Sequence, residues 1–128
     1  WETMAERDGI FKTATLKQQK DFFEKEILPF VRRKNKIFVI ISDALRYEAA
    51  MELAENISKD STDRVKVETE AIIGTIPSIT KVGMAALLPQ NNLRFNQGDI
   101  TINGSSVNGT NNRQKILQEA VPEALAVS

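Results

Sequence analysis

The chain has 128 residues, which is enough for one domain with a hydrophobic core. Its 17 Lys and Arg residues balance 17 Asp and Glu residues, so the zero net charge gives no indication of a general nucleic-acid-binding or anionic-membrane surface. Cysteine and histidine are both absent from the sequence, which excludes a disulfide framework, thiolate chemistry and any histidine base or histidine metal ligand within these residues.

The sequence also leads to expectations about the cellular location of the protein and about how much of the protein this chain represents. No apolar run is long enough to span a bilayer and no secretory signal is visible at the start, so we expect a cytoplasmic protein. Because the sequence begins at Trp1 and contains no histidine, we expect a piece of a longer protein. Residues 1–15 are expected to be a lead-in segment, and residues 16–128 part of one α/β domain.

The first predicted element is a helix over residues 16–33, with Thr15 as a plausible N-cap. Its apolar residues recur at helical spacing on one face, at Leu16, Phe23, Ile27, Phe30 and Val31. Pro29 falls near the end of this pattern, where we expect it to kink or terminate the helix.

A strand is predicted next, over residues 36–42. Five consecutive apolar residues, Ile37 to Ile41, are typical of a strand buried on both faces of a parallel sheet. Asp43 follows at the carboxyl end of that strand, which is the edge where open α/β sheets bind ligands. Two roles remain open for Asp43: a metal ligand, or an N-cap of the next helix.

That next helix is predicted over residues 44–57, and an alternating segment over 65–72 predicts a second, half-exposed strand. Together these elements predict a parallel strand–helix–strand unit with a right-handed crossover. Arg46, in the first turn of the helix, could hold an anion or pair with Asp43.

Gly74 and Pro77 predict a loop, and a short helix is expected to open at Ser78 or Thr80 and to end at Pro89. A hydroxyl at such a helix start suits a nucleophile that attacks phosphorus, and equally an ordinary N-cap. Lys81 could contact a phosphate, or it could simply be solvated.

The remaining residues are rich in Asn, Gly and Ser. A small hairpin is predicted around Asn103-Gly104, a strong turn pair. A last helix, capped by Asn111 or Asn112, is expected to run to about Ala120.

Two segments, Phe38–Glu48 and Pro77–Pro89, closely resemble the PglZ domain, the predicted phosphatase component of BREX phage-defence systems. PglZ domains are in turn similar to the alkaline phosphatase superfamily. The resemblance implies a three-layer sandwich around a parallel sheet, of which this chain would be an incomplete, N-terminal portion. It also implies a metal-dependent phosphatase or phosphodiesterase of bacterial defence, with other components of the defence complex as partners.

The resemblance further implies roles for individual residues. Asp43 would be a ligand of one of two divalent metals, and Thr80 would be both nucleophile and metal ligand, with Ser78 as the alternative nucleophile. Arg46 and Lys81 remain candidates for substrate binding. Because most ligands of such a site normally come later in the chain, we expect this piece to be inactive and to bind no metal alone. A non-catalytic scaffold or partner-binding domain with a degenerate site is the alternative.

Overall fold

In a computed structural model of the chain, residues 16–60, 64–90, 92–96 and 98–128 are described. They form two compact units. One unit consists of Phe38–Ala71, and the other takes in Ile72–Ser128 together with the described residues before Phe38. The predicted lead-in segment and the predicted cap Thr15 lie outside the described residues.

The N-terminal helical stretch is continuous but irregular. A 3-10 turn, Gln19–Asp21, leads into a π-helical segment, Phe23–Ile27, and then into an α-helix, α1, Leu28–Arg32. Pro29 lies in the first turn of α1, where its missing N–H costs least, and the wider π turns come directly before it. Helical turns therefore cover most of the predicted helix 16–33. Pro29 does not end this helix, and the turns directly before it are irregular.

The Phe38–Ala71 unit contains one helix, α2, Tyr47–Asp60, none of whose residues is buried. Segments 36–42 and 65–72, which the sequence predicts to be strands, are not strands in the structure. Phe38 and Ile40 are 88% and 91% exposed. A helix satisfies its own backbone hydrogen bonds, whereas a strand needs a neighbour, and neither segment has a partner strand in the described part of the chain.

The second of these segments still shows the period of an extended chain. Lys66 and Glu68, two positions apart, form an exposed ion pair that raises the pKa of Lys66 above its ordinary value. Beyond this segment, Ile73 makes a parallel bridge with Gln18. The next helix, α3, Thr80–Ala86, follows an extended N-cap residue, Ile79, so of the two predicted starts the structure selects Thr80.

The sheet is antiparallel and three-stranded, in the order β1, Leu93–Asn96, β2, Asp99–Ile102, and β3, Ser105–Ser106. Leu93 pairs with Ile102 across the first hairpin, and Ile102 pairs with Ser105 across the second. Asn103 and Gly104 turn the second hairpin with φ values of 51° and 83°. The predicted hairpin is thus confirmed, whereas β1 was not predicted.

The last helix, α4, Thr110–Ala120, confirms the predicted element, but its N-cap is Gly109 and not Asn111 or Asn112. One core cluster joins α3, β2, the residue after β3 and α4. Its buried members are Val82, Ala85, Leu88, Ile100, Ile102, Val107 and Ile116. The described residues therefore form a mixed helix-and-strand structure with a small antiparallel sheet, and they do not confirm the predicted three-layer parallel sandwich.

Candidate functional site

Thr80 is the first residue of α3, at the end of the Gly74–Ile79 loop. The N–H of Ile79 donates to the Pro77 carbonyl at 2.9 Å, and the peptide bond before Pro77 is cis. Thr80 begins the helix but is not its N-cap, because Ile79 occupies the N-cap position. The interpretation of Thr80 as an N-cap is therefore wrong. Ser78 lies outside the helix, two residues earlier. Ser78, Thr80 and Lys81 are all exposed, so each is accessible to a dissolved phosphate ester.

The start of this loop is bound to the beginning of the N-terminal helical stretch. The Ile73 N–H donates to the Lys17 carbonyl at 2.8 Å, and the Gln19 N–H donates to the Ile73 carbonyl at 2.9 Å. The Gln19 side chain then accepts from the Thr75 N–H at 2.9 Å and donates to the Gly83 carbonyl at 3.0 Å. Sequence reasoning missed Gln19, because a lone glutamine in a helical pattern carries no signal.

The other predicted residues lie in the turn before α2. Asp43 is four residues before Tyr47, where α2 begins, so the predicted helix start at Ala44 and the predicted capping by Asp43 are both wrong. Ala44 has a φ of 58°, in the left-handed region that a residue with a Cβ rarely adopts. The Arg46 carbonyl accepts the Ala50 N–H at 3.0 Å, which is a helical bond, and the side chains of Asp43 and Arg46 are exposed.

These candidate residues are divided between the two units. Asp43 and Arg46 belong to Phe38–Ala71, whereas Ser78, Thr80 and Lys81 belong to the other unit. The predicted convergence of Asp43 and Thr80 on one metal therefore stays a prediction.

The donor set can be compared with what a metal requires. Asp43 and Thr80 are two side-chain ligands with three oxygen atoms between them, whereas zinc takes four ligands and magnesium about six. Across residues 16–60, 64–90, 92–96 and 98–128, no group of three or more Asp, Glu, His or Cys side chains could hold a metal ion. The described residues alone therefore do not fit the two-metal site that the resemblance implies.

A groove in the Phe38–Ala71 unit contains none of the predicted site residues. It is lined by α2 and by Val67 and Thr69, and three of its α2 residues are Glu48, Glu52 and Glu55. Lys59 pairs with Glu55 at 2.6 Å, but the carboxylates of Glu48 and Glu52 remain along the groove and disfavour an anionic substrate such as a phosphate ester.

Within the described ranges, none of the helices has the length and apolar character needed to cross a membrane.

Comparisons with known proteins connect these residues to a family. Residues 22–128 match the family described as the BREX system PglZ alkaline phosphatase-like domain. The chain is 36% identical over 126 residues to the alkaline phosphatase-like protein PglZ of Bacillus cereus (strain H3081.97), an alignment that covers 95% of this chain and 14% of that protein. It is 42% identical over 106 residues to the alkaline phosphatase-like protein BrxZ of Escherichia coli O9:H4 (strain HS), covering 79% of this chain and 12% of that protein.

The chain thus spans a small part, 14% and 12%, of the length of these curated relatives. No solved structure matches it.

Proposed function

Because the chain belongs to the BREX system PglZ alkaline phosphatase-like family, we propose that it is part of a metal-dependent phosphatase or phosphodiesterase that acts in bacterial defence against phage. The observation that carries the proposal is the family match over residues 22–128, which includes both Asp43 and Thr80. Alkaline phosphatase-like proteins are in general metal-dependent. Activity, substrate and partners are proposed for the full-length protein, since the chain covers a small part of its relatives.

Thr80 is the proposed nucleophile. Its exposed hydroxyl oxygen would form a bond to phosphorus as the bond from phosphorus to the leaving oxygen breaks, with the hydroxyl proton passing to solvent and the leaving oxygen taking a proton from water. Water would then cleave the bond from the threonine oxygen to phosphorus, which restores the hydroxyl and releases phosphate, or a phosphate monoester when the substrate is a diester. Exposed Arg46 and Lys81 would bind the anionic phosphoryl oxygens. Ser78, also exposed, is the alternative nucleophile. It takes this role if the nucleophile of the family motif corresponds to residue 78 and not to residue 80.

Two divalent metal ions, zinc, manganese or magnesium, are proposed for the complete domain, with Asp43 and Thr80 among their ligands. Such ions make a hydroxyl a stronger nucleophile and stabilise charge on a transferring phosphoryl group. Two ligand residues, Asp43 and Thr80, are too few, so the proposal requires further ligands from outside the described residues.

We also propose that segments 36–42 and 65–72 are parallel strands of a three-layer sandwich in the complete domain. The exposure of Phe38 and Ile40, 88% and 91%, supports it, since contiguous exposed apolar residues mark a surface that another part of a protein covers.

The test compares two proteins, this 128-residue chain and the full-length protein that carries it, over a panel of phosphate esters and phosphodiesters. We expect the full-length protein to turn over with zinc, manganese or magnesium and the 128-residue chain to be inactive. In the full-length protein, Thr80→Ala and Asp43→Ala should each abolish turnover with circular dichroism unchanged, whereas the matched control Ser78→Ala should retain it.

The outcomes separate the alternatives. Full activity of Thr80→Ala together with loss of activity in Ser78→Ala would move the nucleophile to Ser78. Inactivity of the full-length protein with all three metals would favour the second proposal, a non-catalytic scaffold that binds other components of the defence system in the cytoplasm.

A further inference from the structure

One side chain, Gln19, contacts the backbone on both sides of Thr80. Its Oε1 accepts the Thr75 N–H at 2.9 Å, five residues before Thr80, and its Nε2 donates to the Gly83 carbonyl at 3.0 Å, three residues after it. The partners fix the orientation of the amide, because an N–H can pair only with the oxygen and a carbonyl only with the nitrogen. Gln19 is itself held, since its own N–H donates to the Ile73 carbonyl at 2.9 Å.

The two partners are groups that a loop and a short helix leave unsatisfied. Gly83 carries one of the last four carbonyls of α3, Thr80–Ala86, which the helix itself does not pair. Thr75 lies in a loop, two residues after the isolated bridge between Ile73 and Gln18. A carboxamide is suited to this place because it donates and accepts at once.

Gly83 also makes room for the contact. A Cβ built on Gly83 would lie 3.3 Å from the Gln19 Nε2, closer than most real Cβ contacts. The absence of a side chain at 83 therefore lets the amide approach the helix backbone closely.

We propose that Gln19 is a positioning residue that fixes the Thr75–Thr80 segment against α3 and so holds the Thr80 hydroxyl in one place. The effect on turnover rests on the proposed function of Thr80, whereas the effect on the loop does not. Gln19 lies before residue 22, where the family match begins.

The structural test is hydrogen exchange at the Thr75 amide in the 128-residue chain. Loss of one half-buried hydrogen bond in Gln19→Ala should speed exchange of this amide about fivefold to tenfold. Gln19→Glu keeps the acceptor for Thr75 and loses the donor to Gly83, so it should retain most of the protection. The matched control is Gln118→Ala, which removes a half-buried glutamine bond to the Ala124 carbonyl, 3.0 Å, beyond the end of α4 and should leave Thr75 unchanged.

Unchanged exchange at Thr75 in Gln19→Ala, or an equal increase in Gln118→Ala, would overturn the proposal. If Gln19→Ala fails to fold, Gln19→Glu decides instead: its Thr75 amide should exchange within about twofold of the parent, while the amides of α3 exchange faster. Loss of Thr75 protection in Gln19→Glu would then refute the role of the acceptor.

The second readout is turnover of the full-length protein. Gln19→Ala should lower kcat about tenfold with KM changed less than twofold, because a misplaced nucleophile slows the chemical step. Gln19→Glu should recover part of this loss, and Gln118→Ala should leave kcat unchanged. A full-length protein without activity would contradict the proposed function and leave the exchange result to decide the role of Gln19. Normal kcat in Gln19→Ala with faster Thr75 exchange would refute positioning of Thr80.

Discussion

Ile100 and Ile40 provide a matched pair for testing the core. Ile100 in β2 is 1% exposed and belongs to the core cluster, whereas Ile40 is 91% exposed. Replacing isoleucine by alanine removes three carbons, worth about 2.4 kcal/mol when fully buried, and the cavity left behind raises the cost to about 3–4 kcal/mol. At Ile40, where only a small part of the side chain is buried, the same change should cost about 0.2 kcal/mol.

The assay is urea unfolding of the 128-residue chain, followed by far-UV circular dichroism, with the m-value checked for constancy. A loss of less than about 1 kcal/mol for Ile100→Ala would refute the position of the core. Equal losses for both variants would refute the exposure of Ile40. In the full-length protein, Ile40→Ala should instead cost about 2–5 kcal/mol if segment 36–42 is a buried parallel strand. An unchanged small cost there would contradict the proposed sandwich.

Three further tests, made with four substitutions, examine local features by the same unfolding assay. Gly104→Ala should destabilise the chain by about 1–2 kcal/mol, because the φ of 83° at Gly104 is left-handed. Gly74→Ala should change stability by less than about 1 kcal/mol, because a Cβ built on Gly74 lies 3.7 Å from Gln19 Oε1, an ordinary contact. Equal effects of the two substitutions would contradict this reasoning. Ala44→Gly should stabilise by up to about 1 kcal/mol, since glycine relieves the φ of 58°, and a clear loss of stability would refute that strain. Gly83→Ala should stabilise the Gln19→Ala variant by about 1 kcal/mol through helix propensity. It should stabilise the parent chain by less, because there the new Cβ meets the Gln19 side chain. An equal effect of Gly83→Ala in both backgrounds would show that this contact is absent.

Elements set by local chemistry could be predicted from the sequence. The Asn103-Gly104 turn needs only two residues that tolerate positive φ, and both adopt it. Helices α3 and α4 depend on spacing and on nearby helix-breaking residues, and their ends lie within three residues of the predicted positions.

Features set by distant partners could not be predicted. A run such as Ile37–Ile41 favours a strand, but pairing requires a neighbouring strand that the run itself does not specify. The contacts of Gln19 depend on residues 56 and 64 positions away, which no local pattern reveals. Asp43 and Thr80 were candidates by their positions at a predicted strand end and a predicted helix start, and the resemblance assigned their roles. Their geometry as a pair stays a prediction because they belong to different units.

The N-terminal helical stretch contacts residues far along the chain, through the bridge between Gln18 and Ile73 and through the Gln19 side chain, and these contacts bear on the order of folding. The Gln19 contacts span 56 and 64 residues, so forming them closes a long loop at an entropic cost of about 4 kcal/mol. The cluster from Val82 to Ile116 closes much shorter loops, through hairpins and the adjacent helices. We therefore expect the C-terminal cluster to form first and the N-terminal helical stretch to dock late, although a ribosome synthesises that stretch earlier. In stopped-flow experiments Ile100→Ala should slow folding and Gln19→Ala should mainly speed unfolding, and the reverse pattern would exclude this order.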